Sequence, residues 1–361
     1  MMVYSVNLIP KGAFHLGERG IGYEETAEMV HADTLFGALC TAWALLFGND
    51  EMVNDLLPVD VDADAWTPPF LLSSAFPYAG SVRFYPRPLV PWFEESELSD
   101  DGGATSQNGN AKDVAWVSGG IMSQLLVGEL PSPDEATLLH DGTVWLTNEE
   151  LEELHGELGE RCLWNVRLWK VGRSARVALD VPTDASVLWH FGRIAFHHGC
   201  GFHFHIRFLR DDIVDKFKAT VRLLGDVGIG GDRSAGHGLF TPTFEESIPQ
   251  RLNWLAPQPS TKFITISPVI PRVDQLKEML SEGCRYRFIV RGGWIGSMRP
   301  MPYRRKAVRM LAEGALLIGS ADKLYGKLAD VTPEQLPPSA PLTHRIYRWG
   351  YAFPIAVQDA K

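Results

Sequence analysis

Residues Gly228–Gly238 read Gly-Ile-Gly-Gly-Asp-Arg-Ser-Ala-Gly-His-Gly. Five glycines stand here beside Asp232, Arg233, Ser234 and His237. Glycine tolerates positive φ and lets a backbone come close to a ligand. Consecutive N–H groups in such a loop form a concavity suited to an anion. Two common glycine motifs are excluded by the residues themselves. A dinucleotide fingerprint needs glycine where Arg233 stands, and it lies between a strand and the helix it opens. This loop instead follows a helical segment and precedes a strand, Leu239–Phe244. A Walker A loop needs Lys and then Ser or Thr where His237 and Gly238 stand. What remains is an anion-binding loop or a plain turn that packs a helix on a strand.

The flanking segments place the loop in a fold. Asp211–Leu224 carries Ile213, Phe217, Val221 and Leu224 at helical spacing. Upstream, Phe202–Leu209 alternates, with Phe202, Phe204, Ile206 and Phe208 on one face and His203, His205 and Arg207 on the other. Val187–Phe196 reads as the strand before it, across the turn His198–Gly201. Met2–Ile9 alternates as a first strand. His31-Ala-Asp33-Thr34 then leads into a helix, Leu35–Phe47, with Asp33 as its expected N-cap. Leu35, Phe36, Leu39, Trp43, Leu46 and Phe47 make that helix apolar on nearly every face, which predicts burial all round.

With an insertion of about 80–185 set aside, the order is strand, helix, strand, strand, helix, glycine loop, strand. That is a ferredoxin-like βαββαβ unit, the topology of RNA-recognition domains. The expected architecture is α+β with two such domains, residues 1–248 and 249–361. In the second, Lys262–Ser267 reads as a strand and Val273–Leu280 as a helix. Arg285–Arg291 reads as a strand with Tyr286, Phe288 and Val290 facing the core, and Tyr303–Leu311 as a basic helix. Ala315–Ile318 and Tyr351–Val357 read as closing strands. Inside the insertion, Thr147-Asn-Glu-Glu150 is a capping box, and Glu94–Asp113 is polar enough to read as a mobile loop.

Composition sets the boundaries of function. The chain of 361 residues holds 34 Lys and Arg against 44 Asp and Glu, a net charge of −10, which argues against a free-standing nucleic-acid binder. The distribution points the other way. From Arg285 to Arg309 there are eight basic residues and no acid, and from Arg161 to Leu179 five and none. Glu129–Glu160 reverses the pattern, with many acids and no Lys or Arg. Such segregation suits a basic face for a polyanion and an acidic face for something else, although charge runs commonly only solvate a surface. No apolar run reaches membrane-spanning length and no signal pattern opens the chain, so a cytoplasmic location without membrane contact is expected. Cys40, Cys162, Cys200 and Cys284 are scattered, as in reduced, buried thiols.

Four segments together resemble a known family. They are His31-Ala-Asp33-Thr34-Leu-Phe-Gly37-Ala, the glycine loop, Arg305-Lys306-Ala-Val-Arg-Met-Leu-Ala-Glu313-Gly314, and His344-Arg-Ile-Tyr347-Arg348-Trp-Gly350-Tyr351-Ala-Phe. In this order they resemble the fourth subunits of the type III-A CRISPR effector, the Csm complex, within the RAMP superfamily of RNA-binding proteins. The stretch Glu94–Arg161 has no counterpart in the resemblance. The resemblance implies two ferredoxin-like domains, no catalytic activity and no cofactor. It implies a grip on the 5′ repeat-derived tag of the guide RNA (crRNA). It also implies contacts with the large polymerase/cyclase-like subunit and with the backbone RAMP subunit, Csm subunit three. The candidate RNA contacts are Gly230, Gly231, Asp232, Arg233, Ser234, Gly236, His237 and Gly238 of the loop, with His31, Arg176, Arg304, Arg305 and Lys306. Arg233 is the expected charged contact, and Asp232 and Ser234 are expected to shape the loop.

Three rival functions share these residues. RAMP-fold repeat-processing endoribonucleases use a histidine as general acid or base, and His31 beside a helix start is the candidate here, with His15 second. The competing reading of His31 is a structural one. A zinc site could recruit His197, His198, His203 and His205, but apart from Cys200 in the turn no acid or thiol completes a set beside them. If His203, His205 and Arg207 instead form an exposed face, they could meet RNA or another subunit. A purely structural adaptor would not need the acid-free Arg285–Arg309 run.

Overall fold

The computed structural model describes residues 3–17, 24–59, 64–94, 113–132, 134–159, 167–180, 185–295, 303–335, 342 and 344–358. The mobile-loop expectation for Glu94–Asp113 falls almost wholly outside these residues, as does Cys162. Among the described residues the first half contains eleven strands: β1 Val3–Pro10, β2 Phe70–Leu72, β3 Phe76–Ala79, β4 Val82–Pro86, β5 Trp116–Ser118, β6 Ala136–Leu139, β7 Val144–Thr147, β8 Trp169–Asp180, β9 Ala185–Phe196, β10 Cys200–Phe208 and β11 Phe240–Glu245. Its helices are α1 Ala32–Phe47, α2 Asn49–Leu56, α3 Pro91–Glu94, α4 Gly119–Leu126, α5 Asn148–Leu158 and α6 Val214–Val227. The second half adds β12 Lys262–Thr265, β13 Phe288–Arg291, β14 Val308–Leu311, β15 Leu316–Ile318, β16 Ala329–Asp330, β17 Tyr347–Arg348, β18 Pro354–Val357 and the single-turn α7 Leu276–Met279.

Strand β1 is central because both its edges are filled. It pairs antiparallel with β10, Val6 opposite Phe204, and antiparallel with β11, Val6 opposite Phe244. Strand β10 continues the sheet to β2 and β3, also antiparallel. The spatial order β11-β1-β10-β2 is thus built from strand, helix, strand, strand, helix, strand in chain order. Phe217, Val221 and Leu224 of α6 are buried, as the helical spacing predicts, in the same core as Leu35, Phe36 and Leu39 of α1.

The strand beside β10 is not the one expected. The β9–β10 turn exists, but β9 pairs along its whole length with β8, Trp169 opposite Phe196 through Asp180 opposite Ala185. Two twelve-residue strands in sequence close a local hairpin at little entropic cost. The edge of β10 is left for Phe70–Leu72, three residues buried on both faces. The insertion is also less separate than expected, since β4, β5, β7 and β6 extend the same sheet. Thr147 opens α5 with the predicted capping box, exchanging 3.2 Å bonds with Glu150.

Other expectations fail for identifiable reasons. The face of His203, His205 and Arg207 is buried, at 0%, 0% and 2% exposure. A second layer covers it: Arg207 donates to the Leu255 carbonyl at 2.9 Å and lies over the Phe353 ring. His205 exchanges 2.9 Å bonds with the Ser5 and Tyr85 hydroxyls, and His203 donates to the Phe84 carbonyl at 3.0 Å. Among the described residues no group of His, Cys, Asp or Glu converges as a metal site. Helix α1 is not buried all round; its last turn exposes Leu45, Leu46 and Phe47. Its N-cap is His31, and Asp33 lies in the first turn with its carboxylate engaged elsewhere.

In the second half β12 lies between β15 and β18. The predicted helix Val273–Leu280 contracts to one turn. The predicted basic helix Tyr303–Leu311 is extended; its end, β14, pairs with β13, Phe288 opposite Leu311 and Arg291 opposite Val308. Partner-strand hydrogen bonding outweighs the modest helix propensity of the basic run. The faces of β13 are also reversed: Phe288 and Val290 are 54% and 62% exposed, whereas Arg291 is buried.

A candidate nucleic-acid interface at the seam of the two halves

The glycine loop begins where α6 ends, at Gly228. The Ile229 N–H donates to the Gly238 carbonyl at 3.0 Å, closing the loop at its neck. Gly231 and Gly238 donate to the carbonyls of His15 and Ala13, both at 2.9 Å, which fastens the loop to the segment after β1. Gly230 has φ 92°, and a Cβ there would lie 2.2 Å from the His15 carbonyl oxygen. Gly230→Ala is therefore expected to destabilise the chain by about 1–3 kcal/mol. Denaturant unfolding checks this, and a loss below about 0.5 kcal/mol would show that the loop tolerates a side chain.

Arg176, from the β8–β9 hairpin, holds the loop from behind. Its guanidinium lies 2.6 Å from the Asp232 carboxylate and over the Phe191 ring. It donates to His237 Nε2 at 3.1 Å, while His237 Nδ1 donates to the Ala13 carbonyl at 3.2 Å. Asp232 sits at φ 56°, in the left-handed region that Asp visits more readily than most residues. With this acid paired to Arg176 behind the loop, Arg233 and Ser234 are left exposed at its tip. Among the described residues Arg233 has no ion-pair partner.

Across from the loop, the start of α1 meets the second half through buried charge. Asp33, fully buried, faces Arg291 at 3.2 Å and is bonded to Arg348. Burial would raise its carboxyl, but the two guanidiniums and His31 outweigh that and hold it well below the usual carboxylate range. Arg291 also donates to Thr34 Oγ1, and Arg348 to the Gly292 carbonyl, each at 2.8 Å. His31 Nδ1 lies 2.7 Å from Glu313 Oε1, and the Ser74 hydroxyl donates to that same oxygen. Glu313 is buried too, which would raise its carboxyl; His31 and Ser74 hold it below its ordinary value. Apolar packing spans the same seam: Trp349 stacks on Phe70 and touches Phe36.

Between the loop and the seam lies a cleft of about 980 Å³. Five arginines line it: Arg233 from the loop, Arg291, Arg304 and Arg305 from the β13–β14 hairpin, and Arg345. His15, His31 and His344 line it as well. No Asp or Glu is among the described lining residues. Arg304 lies over the Trp294 ring at 4.8 Å, and Trp294 is 47% exposed, so an aromatic face is offered beside the cations.

The four sequence segments that carry the resemblance therefore converge here. Of the candidate residues, Gly230, Gly231, Arg233, His31, Arg304 and Arg305 line the cleft. Asp232, His237 and Arg176 brace the loop from behind, Gly236 and Gly238 shape its return, and Ser234 stands at its tip. Lys306 is turned away and pairs with Glu334 at 3.2 Å. Sequence reasoning missed Arg291 and Trp294, although both lie in the acid-free run it singled out. It also missed Arg345 and Arg348, which lie in the quoted His344–Phe353 segment.

Residues 258–357 match the family model described as the CRISPR Csm4 C-terminal domain. Two proteins called CRISPR system Cms protein Csm4 align over most of the chain. That of Methanocaldococcus jannaschii is 21% identical, covering 89% of this chain and 86% of its own length. That of Thermococcus onnurineus NA1 is 24% identical, covering 98% and 96%. The chain is thus similar to Csm4 proteins along nearly its whole length. Its fold is similar to that in a Csm3–Csm4 subcomplex of the type III-A CRISPR–Cas interference complex, at TM-score 0.66 and 16% identity, covering 99% of this chain and 100% of the other. It is also similar to that in a Csm1–Csm4 cassette in complex with cA4, at TM-score 0.56 and 20% identity, covering 99% and 98%. Among the described residues no helix is long and apolar enough to cross a membrane.

Proposed function

We propose that the chain is a non-catalytic, cytoplasmic RNA-binding subunit of a type III-A CRISPR (Csm) interference complex. It holds the 5′ repeat-derived tag of the guide RNA in the seam cleft and joins the large polymerase/cyclase-like subunit to the backbone RAMP subunit. One observation carries the RNA reading: in a chain of net charge −10, the cleft between the loop and the seam is lined by five arginines and, among the described residues, no acid. Phosphate contacts from arginine and backbone amides, with bases stacked on an aromatic such as Trp294, are how single-stranded RNA is held without an excess of positive charge overall. The two partner subunits are those that accompany the similar chains in their solved complexes. The strand order β11-β1-β10-β2 supports a ferredoxin-like origin for residues 1–248, and we assign 249–361 to a second, shortened unit.

The absence of catalysis is part of the proposal. His31 is buried at 7% exposure with Nδ1 committed to Glu313, which favours a structural role over that of a general base. The test is a reconstituted complex carrying a guide RNA with photoreactive nucleotides in the tag. Crosslinks are expected on the peptides holding Arg233 and Trp294, with the tag RNA uncut. Crosslinks nowhere in this chain, or cleavage that disappears in His31→Ala, would overturn the reading. Arg233→Ala is expected to weaken tag binding and to lower the salt-dependence slope by about 0.7–1, the value of one phosphate contact. An unchanged slope removes Arg233 from the contacts.

A further inference from the structure

We infer that Arg305 forms a single phosphate subsite whose occupant supplies counter-charge missing from the seam, so that RNA binding and docking of the two halves are linked. The inference rests on the RNA reading and adds to it the place of one phosphate and its effect on the fold.

The seam has a charge imbalance. Arg291, Arg305 and Arg348 gather around one carboxylate, Asp33, which is already shared by Arg291 and Arg348. Glu313, the other buried acid nearby, is occupied by His31 and Ser74. Among the described residues no carboxylate pairs with Arg305. Its Nε is buried without a hydrogen-bond partner. Its backbone N–H is pinned to the Gly293 carbonyl at 2.9 Å, and the guanidinium lies against Gly293, where an added Cβ would come within 3.2 Å. Arg305 thus has little freedom to swing into bulk water. Burial first, then Arg348 and Arg291, lower its pKa to about 10, which leaves it charged at neutral pH but under repulsion.

A half-buried guanidinium without a counter-ion is costly, and its planar fork matches a phosphate. Arg305 lines both the 980 Å³ cleft and a second cleft of about 1120 Å³ on the other side of the hairpin, and Gly292 and Gly293 line both as well. An anion at Arg305 is therefore reachable from solvent and adjacent to the Arg291–Asp33–Arg348 cluster. Binding to the docked state alone stabilises it in proportion to ligand occupancy.

The test uses the full-length chain, a single-stranded RNA octamer and inorganic phosphate as probes, and the variants Arg305→Gln, Arg305→Lys and Lys306→Gln. Arg305→Gln is expected to weaken octamer binding roughly tenfold, as loss of one charge-assisted hydrogen bond does, and to lower the salt slope by about 0.7–1. Arg305→Lys should restore part of both, and Lys306→Gln should match the parent chain. In low-salt, anion-free buffer the melting temperature of Arg305→Gln should equal or exceed that of the parent, because an unmatched charge has been removed. The octamer should raise the parent's melting temperature more than the variant's. A variant that melts several degrees lower without anion, or that binds the octamer with parental affinity and slope, overturns the subsite while leaving the RNA reading to Arg233. If the octamer fails to bind the parent, but phosphate stabilises the parent and not Arg305→Gln, the subsite stands and the RNA reading falls.

Discussion

Asp33→Ala is expected to destabilise the chain by about 3–5 kcal/mol, the range seen when one partner of a buried ion pair is removed. The size follows from what is left behind. Asp33 is fully buried, and its carboxylate is the counter-charge for both Arg291 and Arg348, which reach it across the seam from the second half. Without it, two desolvated cations lose their shared carboxylate, and the neutral Thr34 Oγ1 and Gly292 carbonyl cannot replace its charge. Asp33→Asn should be nearly as damaging, since it keeps the shape and loses the charge. The double variant Asp33→Ala with Arg348→Met should recover part of the loss, because replacing buried charge by apolar volume is often neutral. Denaturant unfolding of the three variants measures this. A single-variant loss under about 1 kcal/mol, or no recovery in the double variant, would mean that the seam is held by Trp349, Phe70 and Phe36 rather than by charge.

Legibility in the sequence followed the range of the interactions. The loop Gly228–Gly238, the amphipathic α6 before it and the capping box at Thr147 depend on neighbours a few residues apart, and each lies where the spacing put it. Phe70–Leu72 could not be recognised as the neighbour of β10. It is three residues long, buried on both faces and paired with a strand more than a hundred residues later, so no alternation betrays its place. Whether the face of His203, His205 and Arg207 is exposed or covered was not legible, because its burial comes from Leu255, Phe353 and Tyr85, which no local pattern connects to it. The cleft shows the same division. All four segments that build it were singled out one by one. The bond from Arg348 to Asp33, 315 residues apart, is tertiary information. Arg291 was placed on the correct strand and the wrong face, since the aromatic Tyr286 and Phe288 look more core-like than an arginine whose acid partner is out of sight.

The second large effect is on pH. Acidification from pH 7.5 to 5 is expected to remove up to about 4 kcal/mol of stability through His203 and His205. Burial, then the nearby charges of Arg83 and, for His205, His203, hold both imidazoles neutral well below their ordinary value of 6.5. In the unfolded chain both protonate as pH falls through about 6.5. The unfolded state then binds more protons than the folded one, so stability falls as pH drops from 6.5 toward the folded-state values. Each group contributes at most about 1.4 kcal/mol per pH unit. His140, lowered to about 4 by burial and then Arg167, acts with the same sign. Asp33 and Glu313 act in a different window. Their carboxyls are held below ordinary carboxylate values, so their stabilisation is intact above the unfolded-state value near 4 and is lost only below it. Urea midpoints measured from pH 7.5 to 5 check the prediction, with the double variant His203→Gln and His205→Gln as the control. The double variant should be less stable at pH 7.5 and markedly flatter across the range; a slope equal to the parent's would assign the acid sensitivity elsewhere. Arg305 remains charged throughout this range, its pKa being about 10, so the cleft keeps its attraction for anions until the sheet beneath it unfolds.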